Sequence, residues 1–431
     1  VNKRLLIISP YFAPVNAADM HRVRTSMPYY AEHGWNAEIV SVNPDYSDFV
    51  QDELLMESLP ANTVVHQVKA WNKQWTSKFG LGSIALRSIW FYLFAVNKLL
   101  KQKQYDLVFF STTQFPVLVL ARLWKCRFKV KIVFDIQDPW HTDYYKQRPK
   151  QERPKKFWFS YNLNRILEPI AMRAADGLIS VSSGYLSILQ KRYAWLKHVP
   201  AAVIPFGLHL KDLDLAIENL HLQPSVIPKD NNFNLVYVGR GGHDLLPAFK
   251  PLLRAINMGL QTDPALFQNL RVWLFGTSYA AAGTGKSTFQ DEVASQGLSH
   301  IFCESTDRLP YYQTLTTLRR ADLLFLPGPD QAEYTASKIF PYLLAQRPIL
   351  AVTHPASTAT SVLSRIPHAQ VFSLDQDVSL ISADIKSYLK TTLISPKHRK
   401  EIPSPDLNEF SSANLTRVQT QLFNQVCNSQ K

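Results

Sequence analysis

Two periodicities alternate along this chain. Residues 5–9 (LLIIS) form a short, wholly apolar run of the kind that becomes a buried strand. Residues 20–33 follow with apolar positions at helical spacing, and Gly34 stands where a helix ends on a positive φ. Residues 37–42 (AEIVSV) then return to a strand pattern. The same signal recurs at residues 64–69, 107–111, 131–135 and 177–181, with helical stretches between most of them. Strands separated by helices of about ten or more residues predict a parallel, doubly wound α/β sheet.

The rhythm restarts in the second half. Residues 234–239 (NLVYVG) form a strand ending in Gly239, and a helix pattern runs through residues 248–257. Further strands are expected at residues 271–275, 300–303, 322–326, 349–352 and 370–372. The break between the halves falls at residues 203–207 (VIPFG), where a strand runs into a Pro/Gly turn. The expected organisation is therefore a domain over residues 1–205, a second over 206–405, and a terminal helix over 406–431 packing back toward the first. Leu415, Val418, Leu422 and Val426 mark one face of that helix.

Charge sharpens the division. The chain of 431 residues carries a net charge of +13, which is long enough for two cores. Residues 1–205 hold 27 Lys and Arg against 15 Asp and Glu, while residues 206–431 hold 20 against 19. The basic surface belongs to the first half, and a basic domain attracts polyanions or anionic membrane. The hydrophobic share of 46% excludes a disordered chain. Cys126, Cys303 and Cys427 are odd in number and widely spaced, so neither a disulfide framework nor a zinc site is expected and a cytoplasmic setting is. No signal peptide is expected, because Ser9-Pro10 breaks the first apolar run. The apolar residues 84–96 fall short of the ~20 needed to span a bilayer.

The most informative stretch is residues 330–350 (DQAEYTASKIFPYLLAQRPIL), which follows the apolar run 323–327 and leads into another at 349–352. Strand, polar turn, helix, strand is an arrangement that presents backbone amides to an anion at the carboxyl edge of a parallel sheet. It resembles the donor-site signature of retaining nucleotide-sugar glycosyltransferases of the GT-B fold, the group 1 or family 4 type. The openings ISPYFAPVNAADMHR, ISVSSGYLSILQKRY, VIPFGLH and VYVGRGG occur in the order such enzymes use. The resemblance implies two Rossmann-like domains facing a central cleft.

In that family a Glu, seven residues and a second Glu frame the diphosphate-holding helix. Glu333 matches the first Glu and is expected to contact the donor sugar, the alternative being a solvated loop carboxylate. Pro341 stands where the second Glu should hold the ribose. Thr335, Ala336 and Ser337 are expected to line the donor, with Thr335 or Ser337 as helix cap. Arg240, after Gly239 and before Gly241, matches the family's diphosphate Arg; the Lys usual a few residues later is absent, and Lys338 is the expected substitute. Glu333, Arg240 and Lys338 are thus the catalytic candidates, and Gly239, Gly241, Thr335, Ala336 and Ser337 the donor-binding ones. On the acceptor side stand Asn16, Asp19 and Arg22 after the first strand, and Asp138, Trp140 and His141 after the strand at 131–135; for the latter three, local hydrogen bonding is the alternative.

The resemblance implies no metal and no cofactor beyond the nucleotide-sugar substrate. Residues 283–288 (GTGKST) look like half a P-loop, but Ala280 stands where its first Gly belongs. Aromatic and basic residues mix over residues 71–103 and 146–159, a composition suited to an anionic membrane surface or to a solvated amphipathic face. Nucleic acid is the weaker partner, since no RNA-binding motif accompanies the charge. The expected function is transfer of a sugar from a nucleotide-sugar to a glycan or lipid-linked acceptor, with retention, in surface polysaccharide synthesis. The alternative is a catalytically impaired GT-B-like binding or assembly protein.

Overall fold

The computed structural model describes residues 2–146, 149–150, 153, 156–280, 282–330, 337–394 and 407–429. It divides into two compact units, residues 1–207 with 409–431, and residues 208–408. The division falls two residues after the break read from the Pro/Gly turn, and the terminal helix is part of the first unit.

The first unit is built on seven strands: β1 Lys3–Ile8, β2 Trp35–Val42, β3 Val64–Val68, β4 Leu107–Ser111, β5 Lys131–Ile136, β6 Gly177–Ser180 and β7 Ala201–Val203. Their order is β3-β2-β1-β4-β5-β6-β7, and every pairing is parallel. Side chains of a strand alternate between faces. Leu6, Ile8, Val108, Phe110, Ile132 and Phe134 therefore share one face, where they meet Tyr92, Val96, Trp124 and Met172 of the covering helices. The other face takes the helix His21–Tyr30 and the terminal helix Ser412–Asn428.

Phe423 explains why the tail returns. It is fully buried against Trp35 at 5.6 Å, Phe109 at 5.1 Å and Tyr30 at 6.4 Å between ring centroids. Gln419 accepts a hydrogen bond from the Tyr30 hydroxyl (3.1 Å) and donates one to Ser26 Oγ (2.9 Å). The helix is shorter than its pattern, because Ser411 caps it by accepting from the Asn414 amide. The helix after β1 behaves similarly at its other end: it closes in a 3-10 turn, with Gly34 at φ 76° donating to Ala31.

The second unit repeats the plan with β8 Phe233–Val238, β9 Leu270–Phe275, β10 Phe302–Ser305, β11 Leu323–Pro327, β12 Ile349–Thr353 and β13 Ala369–Ser373. The order β10-β9-β8-β11-β12-β13 is again parallel throughout. β10 starts two residues later than expected, since Ile301 closes a turn back to Leu298. In both sheets the chain reverses its direction of growth at one place, between β1 and β4 in the first and between β8 and β11 in the second. Ligands of open parallel sheets bind beyond the carboxyl ends of the strands at such a switch point.

Candidate functional site

The switch point of the second unit is opened by a tyrosine. β8 pairs with β11 only at Leu235 and Val236. Beyond them Tyr342 places its hydroxyl at the end of β8, accepting from the Val238 amide (2.9 Å) and donating to the Val238 carbonyl (3.3 Å). A buried backbone group left without a partner is costly, so this hydroxyl lets the two strands part without orphaning Val238. Tyr342 belongs to the short helix Ile339–Leu344, which Pro341 enters in its first turn without losing an intrahelical bond. Among the described residues no side chain caps this helix; Lys338, not Ser337, holds the cap position.

The loop leaving β8 stays close to its neighbour. Gly239 and Gly241 donate to the carbonyls of Phe275 (3.0 Å) and Thr277 (2.7 Å). A Cβ on Gly241 would lie 2.4 Å from Thr288 Oγ1 and 2.8 Å from the Thr277 carbonyl, so no larger residue fits there. Arg240, between them, forms two hydrogen bonds with the carboxylate of Asp244, at 2.9 and 2.5 Å. Burial raises the Asp244 pKa, but the Arg240 bonds and charge outweigh it and hold the carboxyl below its usual range.

Lys338 faces this pair. Its ammonium donates to the Tyr237 hydroxyl (2.9 Å) and the Pro327 carbonyl (3.3 Å), and lies 4.6 Å from the Tyr237 ring centroid. The Tyr237 hydroxyl in turn donates to the Arg240 carbonyl at 2.6 Å, tying the three residues together. Burial, with Arg240 adding to it and Asp244 opposing it, pushes the Lys338 pKa down to about 7. The arrangement is one cation already neutralised by a carboxylate and a second ammonium supported by a hydroxyl, a carbonyl and a ring. An anion placed there would find a donor whose charge it strengthens. Ser337 lies beside Lys338 and is half-buried; Glu333, Thr335 and Ala336 lie outside the described residues.

The half P-loop is occupied from within. The carboxylate of Glu304 accepts from the amides of Thr288 (3.0 Å) and Phe289 (3.1 Å), from Thr277 Oγ1 (2.7 Å) and from the Ser287 hydroxyl. Backbone donors that a phosphate would need are thus committed to a side chain of the same unit.

In the first unit the switch point is closed. Asp19 is buried, and one of its carboxylate oxygens accepts from Thr112 Oγ1 (2.8 Å), the Thr113 amide (2.9 Å) and Thr113 Oγ1 (3.2 Å). Burial raises its pKa against these hydrogen bonds. Arg22 pairs with buried Asp135 at 2.7 Å and donates to the carbonyls of Ile204 (2.7 Å) and Pro205 (3.2 Å). Gln137 completes the network by donating to Asp135 (2.8 Å), Ser111 Oγ (3.0 Å) and the Asp19 carbonyl (3.1 Å). Asp19 and Arg22, expected to face an acceptor, instead use their polar atoms to hold loops of their own unit. The physical reason is burial: a charge removed from water needs a fixed partner.

The remaining acceptor-side candidates separate. Asn16 is half-buried, its amide donating to the Val50 carbonyl (2.8 Å), and Asp138 is exposed. Trp140 is buried, stacked on Phe115 at 5.4 Å and bonded to Asn164 (3.1 Å). His141 is half-buried, and its amide donates to Glu168 (2.9 Å). Burial lowers the His141 pKa, with Arg192 adding to the effect. Tyr237, Asp244, Asp135, Gln137, Glu168 and Arg192 were absent from the expected set. Asp244 alone carried a usable signal, since i to i+4 from Arg240 across a turn is ion-pair spacing. Among the described residues no group of three or more His, Cys, Asp or Glu is placed to hold a metal ion.

Residues 27–212 match the family model Glycosyltransferase Family 4. Among solved structures, a glycosyltransferase from Rickettsia africae aligns at 12% identity and TM-score 0.59, covering 100% of each chain. HepE from Anabaena, solved with UDP and glucose, aligns at 15% identity and TM-score 0.55, over 99% of this chain and 97% of that one. A UDP-forming α,α-trehalose-phosphate synthase from Burkholderia xenovorans aligns at 11% and 0.62, over 99% and 98%. No curated protein matches by sequence. The fold is that of the GT-B structures it aligns with, and the match to the glycosyltransferase family model covers most of the first unit.

Proposed function

We propose that this chain transfers a sugar from a nucleotide-sugar donor to a glycan or lipid-linked acceptor, with retention of configuration, in the synthesis of a surface polysaccharide. The observation that carries the donor half is Lys338, an ammonium with a pKa near 7 supported on Tyr237 beside the Arg240–Asp244 pair at the second switch point. A diphosphate leaving group needs positive charge where its own charge develops, and fixed donors provide it without reorganising at that moment. That HepE is known in complex with UDP and with UDP-glucose supports a uridine nucleotide as the first donor to try. Glu333 is proposed to contact the sugar, and Gly239, Gly241, Thr335, Ala336 and Ser337 to line the donor. No metal is required in this reading.

The protein is proposed to work at the cytoplasmic face of a membrane. The two aromatic and basic segments meet in space: Lys156 donates to the Ser77 carbonyl (3.2 Å), and a Cβ on Gly80 would lie 3.5 Å from the Phe159 ring. Trp75, Phe79, Trp158 and Phe159 are exposed around that junction, with the Lys78 ammonium 5.5 Å from the Trp75 ring centroid. Exposed aromatics among cations suit the interface of an anionic bilayer. Among the described residues no single helix is long and apolar enough to cross one. The rival reading, a protein that binds without transfer, draws on Pro341 and on the commitment of Arg240 to Asp244.

The test is thermal denaturation and calorimetry with UDP, GDP, ADP and TDP. A ligand at a hundredfold excess over Kd stabilises by about 2.7 kcal/mol. A shift with one of them, followed by release of that nucleotide from its sugar conjugate, supports transfer. No shift with any would leave the binding-protein reading.

A further inference from the structure

The outer helices of the first unit show almost no negative charge to solvent. Three of them, Ile84–Gln102, Leu120–Phe128 and Phe157–Met172, lie side by side on the sheet face that Tyr92, Trp124 and Met172 cover. Together they contain one acid, Glu168, which is buried and paired with Arg192. Trp90, Phe94 and Trp158 on their solvent side are 51%, 68% and 77% exposed, and Leu123, Ile166 and Ile170 are exposed as well. The charges between them are Lys98, Lys101, Arg122, Arg127 and Arg165, all exposed. Single exposed apolar residues are ordinary, but a group of them on adjoining helices marks a contact surface.

Aromatic and cationic residues are sorted along this face. Trp90, Phe94, Lys98 and Lys101 follow one another at helical spacing, so one stripe begins aromatic and ends cationic. The aromatic end lies at the carboxyl edge of the sheet. There the chain leaving β3 is tied to the helix's first turn: the Trp71 amide donates to the Arg87 carbonyl (3.0 Å), and Arg87 donates back to the Trp71 carbonyl (3.0 Å). The helix Phe157–Met172 starts at the same edge, where Trp158 and Phe159 join Trp75 and Phe79. Two acids border this end, and each is held: Asp48 pairs with Lys73, and Asp143 accepts from the Tyr161 hydroxyl (2.6 Å). The cationic end lies at the amino edge, where Lys103 pairs with Glu38 of β2 (2.7 Å) just before β4 begins. Asp106, the one acid between Glu57 and Asp135, is also there, accepting from the Arg4 amide (2.7 Å).

From this sorting we infer that the three-helix face docks on an anionic bilayer in a tilted pose, with the carboxyl edge of the first sheet dipping into the lipid and the amino edge held over the headgroups. The inference rests on the membrane location proposed above and adds the face and the tilt. Trp90 and Lys101 are about 16 Å apart along their helix. Interfacial helices sink only ~5–10 Å, so a modest tilt lets the rings reach the acyl boundary while the ammonium groups stay among phosphates. A second copy of this chain fits the face poorly, because cations would meet cations with no exposed acid on these helices to pair them. Single-stranded nucleic acid needs rings on which bases stack, and Leu123, Ile166 and Ile170 offer none. The tilt has a consequence for transfer. Exposed Asp138 stands two residues beyond Ile136 at the dipping edge, where an acceptor embedded in the bilayer would arrive without leaving it.

The experiment uses the full chain with phosphatidylglycerol-containing and pure phosphatidylcholine vesicles. Sedimentation is expected with the first and not with the second. Lys98→Gln should weaken it about fivefold at low salt. Arg417→Gln, which removes an exposed charge from the terminal helix on the opposite sheet face, should change nothing. Cys126 is exposed on the middle helix and Cys303 in the second unit. Vesicles should slow the reaction of Cys126 with a bulky water-soluble maleimide at least fivefold and leave Cys303 unaffected. In a Cys126→Ser, Cys303→Ser background, an environment-sensitive dye on Trp158→Cys should shift to the blue on vesicles, and one on Lys101→Cys should not. Equal losses in Lys98→Gln and Arg417→Gln, an unprotected Cys126 or equal dye shifts would overturn the inference while leaving the membrane location standing. Equal sedimentation with both vesicles would do the same. No sedimentation with either would remove the location as well, and UDP stabilisation, which none of these variants should alter, judges the donor reading separately. Protection of Cys126 that grows with protein concentration alone would assign the face to a second copy, and stronger protection by a thymidine oligonucleotide than by vesicles would assign it to nucleic acid; either overturns the inference.

Discussion

The two sheets of this chain have the same switch-point topology and fill it in opposite ways. In the first unit the carboxyl ends of β1, β4 and β5 are knitted together by Asp19, Thr112, Thr113, Asp135, Gln137 and Arg22, all inside the unit. In the second, β8 and β11 part around the Tyr342 hydroxyl, and the gap is bordered by Lys338 and the Arg240–Asp244 pair. The first has two buried carboxylates, Asp19 and Asp135, to one guanidinium, Arg22. The second has an ammonium without a carboxylate of its own within ion-pair distance among the described residues. A shared topology therefore fixes where a ligand would sit, while the side chains at that place decide whether one can.

The comparison breaks most visibly at Arg22. Removing it leaves Asp135 buried without its cation, and breaking a buried pair costs about 3–5 kcal/mol. Arg22→Ala should lower the urea midpoint of the first unit sharply, while the second unit still responds to UDP. An unchanged midpoint would mean that the network is not what closes the first switch point.

The overall fold was legible in the chain because buried parallel strands read as continuous apolar runs, and those at residues 5–9, 107–111 and 323–327 needed no context to recognise. Phe423 was less visible. It stands one residue after Leu422, off the single face read from Leu415 and Val426, yet it is fully buried. The sites were legible only in part. Arg240 and Lys338 were picked from their places beside strand ends, and the structure brings them to one point. Asp19 and Arg22 carry the same kind of polar group in the same kind of loop, and nothing local distinguishes a charge that faces solvent from one that is walled in. That difference is set by residues about a hundred or more positions away, Thr112, Thr113, Asp135 and Ile204. Asp244 and Tyr237 went unread because their role is to hold Arg240 and Lys338.

At the second switch point Lys338 is the next test. A hydrogen bond to a charged group contributes about 1.5–3 kcal/mol, so Lys338→Met should weaken UDP tenfold or more and UMP less. Equal losses for the two nucleotides would show that the ammonium does not meet the outer phosphate. Its pKa adds a sign. The folded pKa is depressed to about 7, so in free protein between about pH 7 and 10.5 the unfolded chain holds a proton that the folded chain lacks. Stability therefore gains from this group as pH rises through that window and loses as pH falls toward 7. UDP should reverse the preference: at pH 8 its binding should take up a proton, seen as a dependence of the calorimetric heat on buffer ionisation enthalpy. Lys338→Met should abolish both effects. A heat independent of buffer would remove Lys338 from the phosphate site.

The smallest expected effect belongs to Tyr237, and it separates holding from touching. Its hydroxyl accepts from Lys338 and donates to the Arg240 carbonyl, so Tyr237→Phe removes one oxygen and leaves the ring beneath the ammonium. A neutral hydrogen bond of this kind contributes about 1 kcal/mol net. UDP affinity should fall only a few-fold, with the ratio of UDP to UMP binding unchanged, because the hydroxyl positions the cations and does not meet phosphate. The proton taken up on UDP binding at pH 8 should remain. A loss as large as that of Lys338→Met, confined to the diphosphate, would place the Tyr237 hydroxyl among the ligand's direct contacts and give the second switch point a third donor that the first has no counterpart for.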